Sequence, residues 1–348
     1  MIPSGLNRRT QSGYILILNI GVLALMLLGA TYMGKQMSTA LVMARAEQQA
    51  VQNEQDISDA KAKLLFLLSS LPRTSAGLGI GQNSIVPDGR TYRLDDRIAV
   101  QIQDIRGLVS VNGLGIGGAG RQIMERLLGT YGLDSDTTAR LVDTLLDYRD
   151  GDNLRRINGA EQEEYAAAGT SHLLRNADLL VPTELARIHG WAEIAALWGD
   201  DPITNHISVH PRPVLNPNAA DWRVLVALGG IAPEMAKDLL QSRRRGEITD
   251  ITSLVAPGLS GDPFAGGPVI IKTPSDSLLI TFLPREGHLG QRIAVNHTPE
   301  SERCPWRIQY TERIAVSAVS KNWEDTPPLP DLRQLRDASK PNQVQLPL

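Results

Sequence analysis

Arg8-Arg9-Thr10-Gln11-Ser12-Gly13, followed by the apolar run Tyr14–Met33, decides how the rest of the chain is read. No charged side chain occurs from Thr10 to Gly34. A helix over that stretch rises on the order of 35 Å, enough to cross a bilayer core. The two arginines ahead of it are expected on the cytoplasmic side. In an ordinary secretory signal the small residue at the cleavage site follows the apolar region, so cleavage frees the protein. Here the scissile bond is read as Gly13–Tyr14, ahead of the run. Cleavage there removes residues 1–13 and leaves the hydrophobic helix on the mature chain, with Leu18 as its fifth residue. The alternatives are an uncleaved signal anchor and a signal cut near Ser38-Thr39-Ala40, for which the apolar region is too long.

Working outward, the periodicity does not stop at Met33. Met37, Leu41, Ala44, Gln48 and Val51, then Ile57, Ala60, Leu64 and Leu68, recur every three to four residues, and no proline intervenes before Pro72. Helix-forming polar residues fill the other positions. The spacing predicts one helix from Tyr14 to about Leu71, roughly 85 Å long, half in lipid and half packed on a soluble body. Residues 73–89 read as a Gly/Ser/Pro loop. Alternation predicts strands at Thr91–Leu94, Ile98–Ile105 and Leu108–Val111, and again at Val269–Ile271, Leu278–Leu283, Gln291–Val295 and Arg307–Val319. Between these two groups the pattern is helical, with candidate helices from Arg121 to Arg244. The tail from Trp323 to Leu348 carries five prolines and is expected to be extended. Strands, helices, then strands again point to an α+β fold: a long N-terminal helix on a small antiparallel sheet, with a large all-α domain inserted between strands.

Composition narrows the class. A net charge of −3 over 348 residues gives no broad cationic surface for nucleic acid. A charged fraction of 21% with a mean hydropathy of −0.14 excludes a polytopic membrane protein. The single cysteine, Cys304, cannot form an intramolecular disulfide.

Two glycine-bearing sites and a pair of histidines were weighed. Gly113–Gly120 contains G-x-G-x-x-G spacing, but a dinucleotide fold needs a second parallel strand where Leu133–Tyr148 reads as helix. Asn216–Arg245 resembles a helix-hairpin-helix module, which opens a rival reading as a membrane-anchored nucleic-acid-binding protein in DNA uptake. There Ala232-Pro233 replaces the second hairpin glycine and removes a donor, which favours a packing role. His206 and His210 read as solvated loop residues. With no G-x-S-x-G, H-E-x-x-H or Walker A motif, and only an isolated Ser171-His172, an enzyme is not supported. The acidic cluster Asp147-Tyr148-Arg149-Asp150-Gly151-Asp152-Asn153 with Asn158-Gly159-Ala160-Glu161 gathers hard oxygen donors around turns, as calcium requires. The same residues also cap helices and fill turns.

Taken in order, the leader, the long helix, Asp104–Asn112, Leu146–Asp152 with Asn158–Glu161 and Tyr165, Arg175-Asn176, Glu184-Leu185 and Gly190-Trp191 resemble the K-type minor pseudopilin family of type II secretion systems (GspK-like). The resemblance implies a non-enzymatic subunit at the tip of the periplasmic pseudopilus, anchored by a single pass in the inner membrane of a Gram-negative cell. Its implied partners are the I-type and J-type minor pseudopilins, the major pseudopilin, prepilin peptidase and the secretion assembly platform, with no nucleic acid. It also implies bound calcium, assigned to Asp147, Asp150, Asp152 and Glu161. The implied segments are the leader 1–13, the pilin helix 14–71, the first sheet part 72–115, an insert of two subdomains 116–268, C-terminal strands 269–320 and a tail 321–348. Pilin-like proteins usually carry glutamate where Leu18 stands. A subunit with no neighbour above it would leave that carboxylate unpaired at a cost of roughly several kcal/mol, so leucine suits a cap. Gly113–Gly120 and Gln162 depart from the family pattern. Mass spectrometry of the mature N-terminus is expected to find methylated Tyr14; a chain starting at unmodified Met1, or after Ala40, contradicts this reading.

Overall fold

Helix α1 (Gln11–Ser70) runs without interruption to the residue pair ahead of Pro72, whose ring disfavours helical backbone just before it. In the computed structural model, residues 11–79, 84–115, 118–169, 174–212, 214–245, 269–287, 289–315 and 323–330 are described. The chain divides into two units, Met1–Gln55 and Asp56–Leu348. In the first unit the side chains of Tyr14–Gln48 are all exposed. Its most apolar stretch reaches a mean hydropathy of 2.2, and α1 is the one helix among the described residues long and apolar enough to cross a membrane. Residues 1–10, with Arg8 and Arg9, lie outside the described residues.

In the second unit, the last turns of α1 bury Ile57, Ala60, Leu64, Leu65 and Leu68. This i, i+3, i+7, i+8, i+11 stripe lies on one side of a five-stranded sheet, against Ile98, Val100, Ile102, Leu278, Ile280, Phe282, Ile293 and Val295. The sheet contains β3 (Asp88–Arg93), β4 (Ile98–Asp104), β9 (Ser277–Pro284), β10 (Leu289–His297) and β11 (Trp306–Ala315), in the order β11-β10-β9-β4-β3. Its pairings are antiparallel. Every residue of β9 is buried, because both faces of this central strand are covered. The expected strand Arg307–Val319 is confirmed to Ala315; residues 316–322 lie outside the description. The expected loop at 73–89 instead contains a minimal hairpin, β1 (Arg73–Thr74) with β2 (Gly77–Leu78). The tail, where it is described, lies against the sheet. Trp323 is buried, and the Arg93 N–H and C=O pair with Pro327 and Leu329 beside β3. Residues 331–348 lie outside the description.

The insert leaves the sheet after β4 and returns at β9, and these two strands are hydrogen-bonded neighbours, with Asp104 opposite Leu278. It contains β5 (Val109–Ser110), α2 (Gly118–Gly129), α3 (Ser135–Arg149), α4 (Gln162–Ala167), β6 (Ile207–Ser208), β7 (Val214–Leu215), α5 (Trp222–Gly229), α6 (Pro233–Arg245) and β8 (Val269–Ile270). Within the stretch read as helical, Pro182–Arg187 and Ala195–Leu197 are short 3-10 turns. Two two-residue parallel pairs, β5 with β6 and β7 with β8, join the helices. The insert has its own apolar core around Trp191, whose indole N–H donates to the Leu141 carbonyl at 3.1 Å.

One buried carboxylate ties the insert's exit, middle and return together. Asp104 Oδ1 accepts from the Arg106 N–H (3.1 Å), the Ser275 N–H (3.2 Å) and the Ser275 hydroxyl (2.6 Å), while Oδ2 accepts from the Asn216 amide (2.9 Å). The Asp104→Ala variant strands several buried donors and is expected to lose about 3 kcal/mol in equilibrium urea unfolding, at 1–3 kcal/mol per orphaned group. Asp104→Asn, which keeps one carbonyl acceptor, is expected to lose less.

Candidate metal centre

Helix α3 carries Asp143 and Asp147 four residues apart on one face, its C-cap residue is Asp150, and all three acids are buried. Like charges at this spacing repel, so each needs a partner. Asp143 takes Arg121 and accepts from the Asn158 side-chain amide at 3.1 Å. Asp147 and Asp150 share Arg156: its Nη1 lies 2.5 Å from Asp147 Oδ1 and 2.6 Å from Asp150 Oδ2. The second oxygen of Asp147 accepts the Arg156 backbone N–H at 3.1 Å. Gly159 is required beside it, because a Cβ there would collide with the Asp147 carboxylate.

The chain then turns back. Asp152 accepts the Leu154 N–H at 2.8 Å, a local turn, and α4 begins at Glu161, whose backbone N–H is held by the Glu164 carboxylate at 2.9 Å. This return brings ligand atoms of Asp150, Asp152 and Glu161 within 4.8 Å of one another. Of the four acids expected to gather, the structure brings together these three. Asp147 lies alongside with both oxygens committed to Arg156. Both carboxylate oxygens of Glu161 and Oδ1 of Asp150 are buried without a hydrogen-bond partner. Burial, followed by the charges of Asp147, Asp150 and Asp152, pushes the Glu161 carboxyl up to about 7. Orphaned carboxylate oxygens of this kind are costly unless a cation or proton meets them. The donor set is oxygen alone, which suits Ca²⁺ or Mg²⁺ and not zinc.

The other sequence sites resolve differently. Tyr14 and Leu18 are exposed on α1, which includes Gly13 in its first turns. Ser171 and His172, and Gly117 of the glycine run, lie outside the described residues. After α2, α3 stands where a dinucleotide fold needs a strand. The helical hairpin is α5 and α6, joined through Gly230 in the left-handed region at φ 62°. Arg243 of α6 is turned inward, donating to the carbonyls of Pro217 (3.0 Å) and Ala220 (2.5 Å) and pairing with Asp88 at 3.2 Å. It is therefore unavailable to a phosphate, in keeping with the packing role.

His206 is not the solvated loop residue expected. It is buried between two carboxylates, Asp201 at 2.7 Å from Nε2 and Asp221 at 2.5 Å from Nδ1. Burial opposes its charge, but hydrogen bonds from both ring nitrogens to these acids outweigh that and raise it to about 9. Asp201 is correspondingly held down, to about 2, chiefly by its bond to His206. Sequence reading missed this pair because Asp221 stands 15 residues beyond His206. Asp143 differs: it stands four residues before Asp147 on the predicted helix, a spacing the sequence does display.

Residues 104–196 match the family model described as type II secretion system (T2SS), protein K, a segment that includes α2, α3, α4 and the acidic cluster. No curated protein matches the chain. In fold it is similar to a chain of the crystal structure of the GspK-GspI-GspJ complex from the type 2 secretion system of enterotoxigenic Escherichia coli. The TM-score is 0.58 at 18% identity, over 78% of this chain and 99% of that one. The resemblance to the protein K family is thereby borne out over residues 104–196, and the fold is similar to that of a chain in the GspK-GspI-GspJ complex.

A histidine raised from 6.5 to about 9 stabilises the fold fully below pH 6.5, and that contribution is lost as pH rises through 9. Stability is expected to fall by about 2–3 kcal/mol between pH 6.5 and 9.5. The corresponding slope is expected to be absent in His206→Gln, as followed by urea unfolding at fixed ionic strength.

Proposed function

We propose that this chain is a K-type minor pseudopilin of a type II secretion system, a non-enzymatic subunit that initiates and caps the pseudopilus used to export folded proteins across the outer membrane. One observation carries the reading: a protein K segment, residues 104–196, is inserted into a sheet backed by a long helix whose N-terminal part is uniformly apolar. Prepilin peptidase cuts after Gly13, and the new amine of Tyr14 is methylated. The helix holds the protein in the inner membrane with its C-terminal body in the periplasm until the assembly platform packs it. Leu18 replaces a charge that would have no partner at the top of the fibre, and the bulk of the insert leaves no room for a subunit above. The GspK relative is found with GspI and GspJ. Equivalent I-type and J-type subunits, joined in turn to the major pseudopilin, are the partners proposed here.

Asp150, Asp152 and Glu161 would hold a calcium ion, supported by the three buried oxygens that lack any partner. Calcium supplies no chemistry beyond neutralising these carboxylates and fixing the α3–α4 turn. Co-expression with I-type and J-type subunits is expected to yield a ternary complex from detergent extracts. Calcium is expected to raise the melting temperature of the purified chain by several degrees over chelator, and Glu161→Gln to abolish that increment. The assembly reading fails if no pilin-like partner co-purifies and the protein instead binds DNA in a salt-dependent way. An increment that survives Glu161→Gln removes the cation from this site.

A further inference from the structure

We propose that Arg156 is a tethered counter-cation that competes with the metal ion for the α3–α4 acidic cluster and holds its affinity down. This rests on the reading of Asp150, Asp152 and Glu161 as a divalent-cation site. Arg156 lies on the loop between the ligands, six residues after Asp150 and five before Glu161, so its charge is delivered by the site's own backbone. One guanidinium nitrogen, Nη1, bridges Asp147 Oδ1 (2.5 Å) and Asp150 Oδ2 (2.6 Å). Asp150 is thus divided: one oxygen is held by Arg156, the other is buried and unpartnered, and the residue offers an oxygen within 4.8 Å of the ligand atoms of Asp152 and Glu161. An ion bound at that second oxygen shares a single carboxylate with a guanidinium.

Two positive charges on one carboxylate repel at short range and little solvent intervenes, since Asp150 is buried and Arg156 only partly exposed. The arginine cannot replace the ion. It satisfies Asp147 fully and Asp150 by half, and leaves Glu161 with neither oxygen bonded. Arg156 therefore keeps the loop folded without metal, at the expense of weakening the metal when it comes. Linkage makes the effect mutual: by whatever factor Arg156 weakens the ion, the ion weakens the hold on Arg156.

Calcium calorimetry on the full chain in detergent, with melting in chelator, separates the possibilities. Arg156→Gln is expected to bind calcium about tenfold more tightly than the wild type and to melt lower in chelator. Arg156→Lys, which keeps the charge but has no planar fork to bridge two carboxylates, is expected to fall between them. If wild type and Arg156→Gln both bind and the variant binds equally or more weakly, the competition is overturned while the site stands. If neither binds, the site itself is refuted and the inference with it. Should Arg156→Gln not fold, the wild type still decides: calcium saturation is expected to speed rotation of the Arg156 guanidinium in ¹⁵N spectra, and an unchanged rate overturns the proposal.

Discussion

The constraint on which the second unit depends is the burial of a single carboxylate where a large insert enters and leaves a sheet. An insert emerging between two hydrogen-bonded neighbour strands has its ends side by side, so only a local fixture is needed to orient it. Asp104 provides one. Its oxygens accept from the residue just past β4, from Asn216 midway through the insert, and from Ser275 where the chain returns. The layer between sheet and insert is otherwise mainly polar: Arg292 donates to the Thr204 carbonyl and Asn205, Thr183 to Glu312, and Gln103 to the Ala219 carbonyl. Directional bonds fix an orientation where an apolar seam would permit sliding. The helix side of the same sheet is mainly apolar, and there the chief contribution is burial.

The acidic turn follows a similar logic with a different balance. Three acids on and just past one helix cannot all be buried without counter-charge; Arg121 of the preceding helix partners Asp143, and the loop that follows supplies Arg156, with Asn158 adding an amide. What remains unmatched is concentrated at Glu161, two residues after a glycine that the geometry demands. The cluster is thus partly neutralised by the chain's own arginines.

Much of the fold was legible because its signals are periodic. The stripe Ile57, Ala60, Leu64, Leu68 and the alternation Ile98, Val100, Ile102 each name a buried face directly, and both proved to be core. Pro72 marked the helix end to within a residue or two. Non-periodic features were illegible for physical reasons. The Arg73–Leu78 hairpin spends two residues per strand, too few for a pattern. The 327–329 segment joins β3 through backbone groups, which side chains do not advertise. In the acidic cluster, residue type picked out Asp150, Asp152 and Glu161, which the fold brings together. It could not say that Asp147 belongs to Arg156, because that depends on where the loop carries a charge nine residues on. His206 and Asp221 meet only once α5 is packed.

The two margins of the five-stranded sheet are treated unequally. Beside β3, a proline-rich stretch lends one hydrogen bond to each side of Arg93 and withholds the donors that would extend the ladder, since Pro327, Pro328 and Pro330 have no N–H to offer. Opposite, β11 slips register against β10 near Ala294 and Val295, and it sets Arg307 and Arg313 along its length. A bulge and charges are the usual ways to keep a free margin from recruiting another chain. Backbone pairing between copies of this chain is thereby disfavoured at both margins of the sheet.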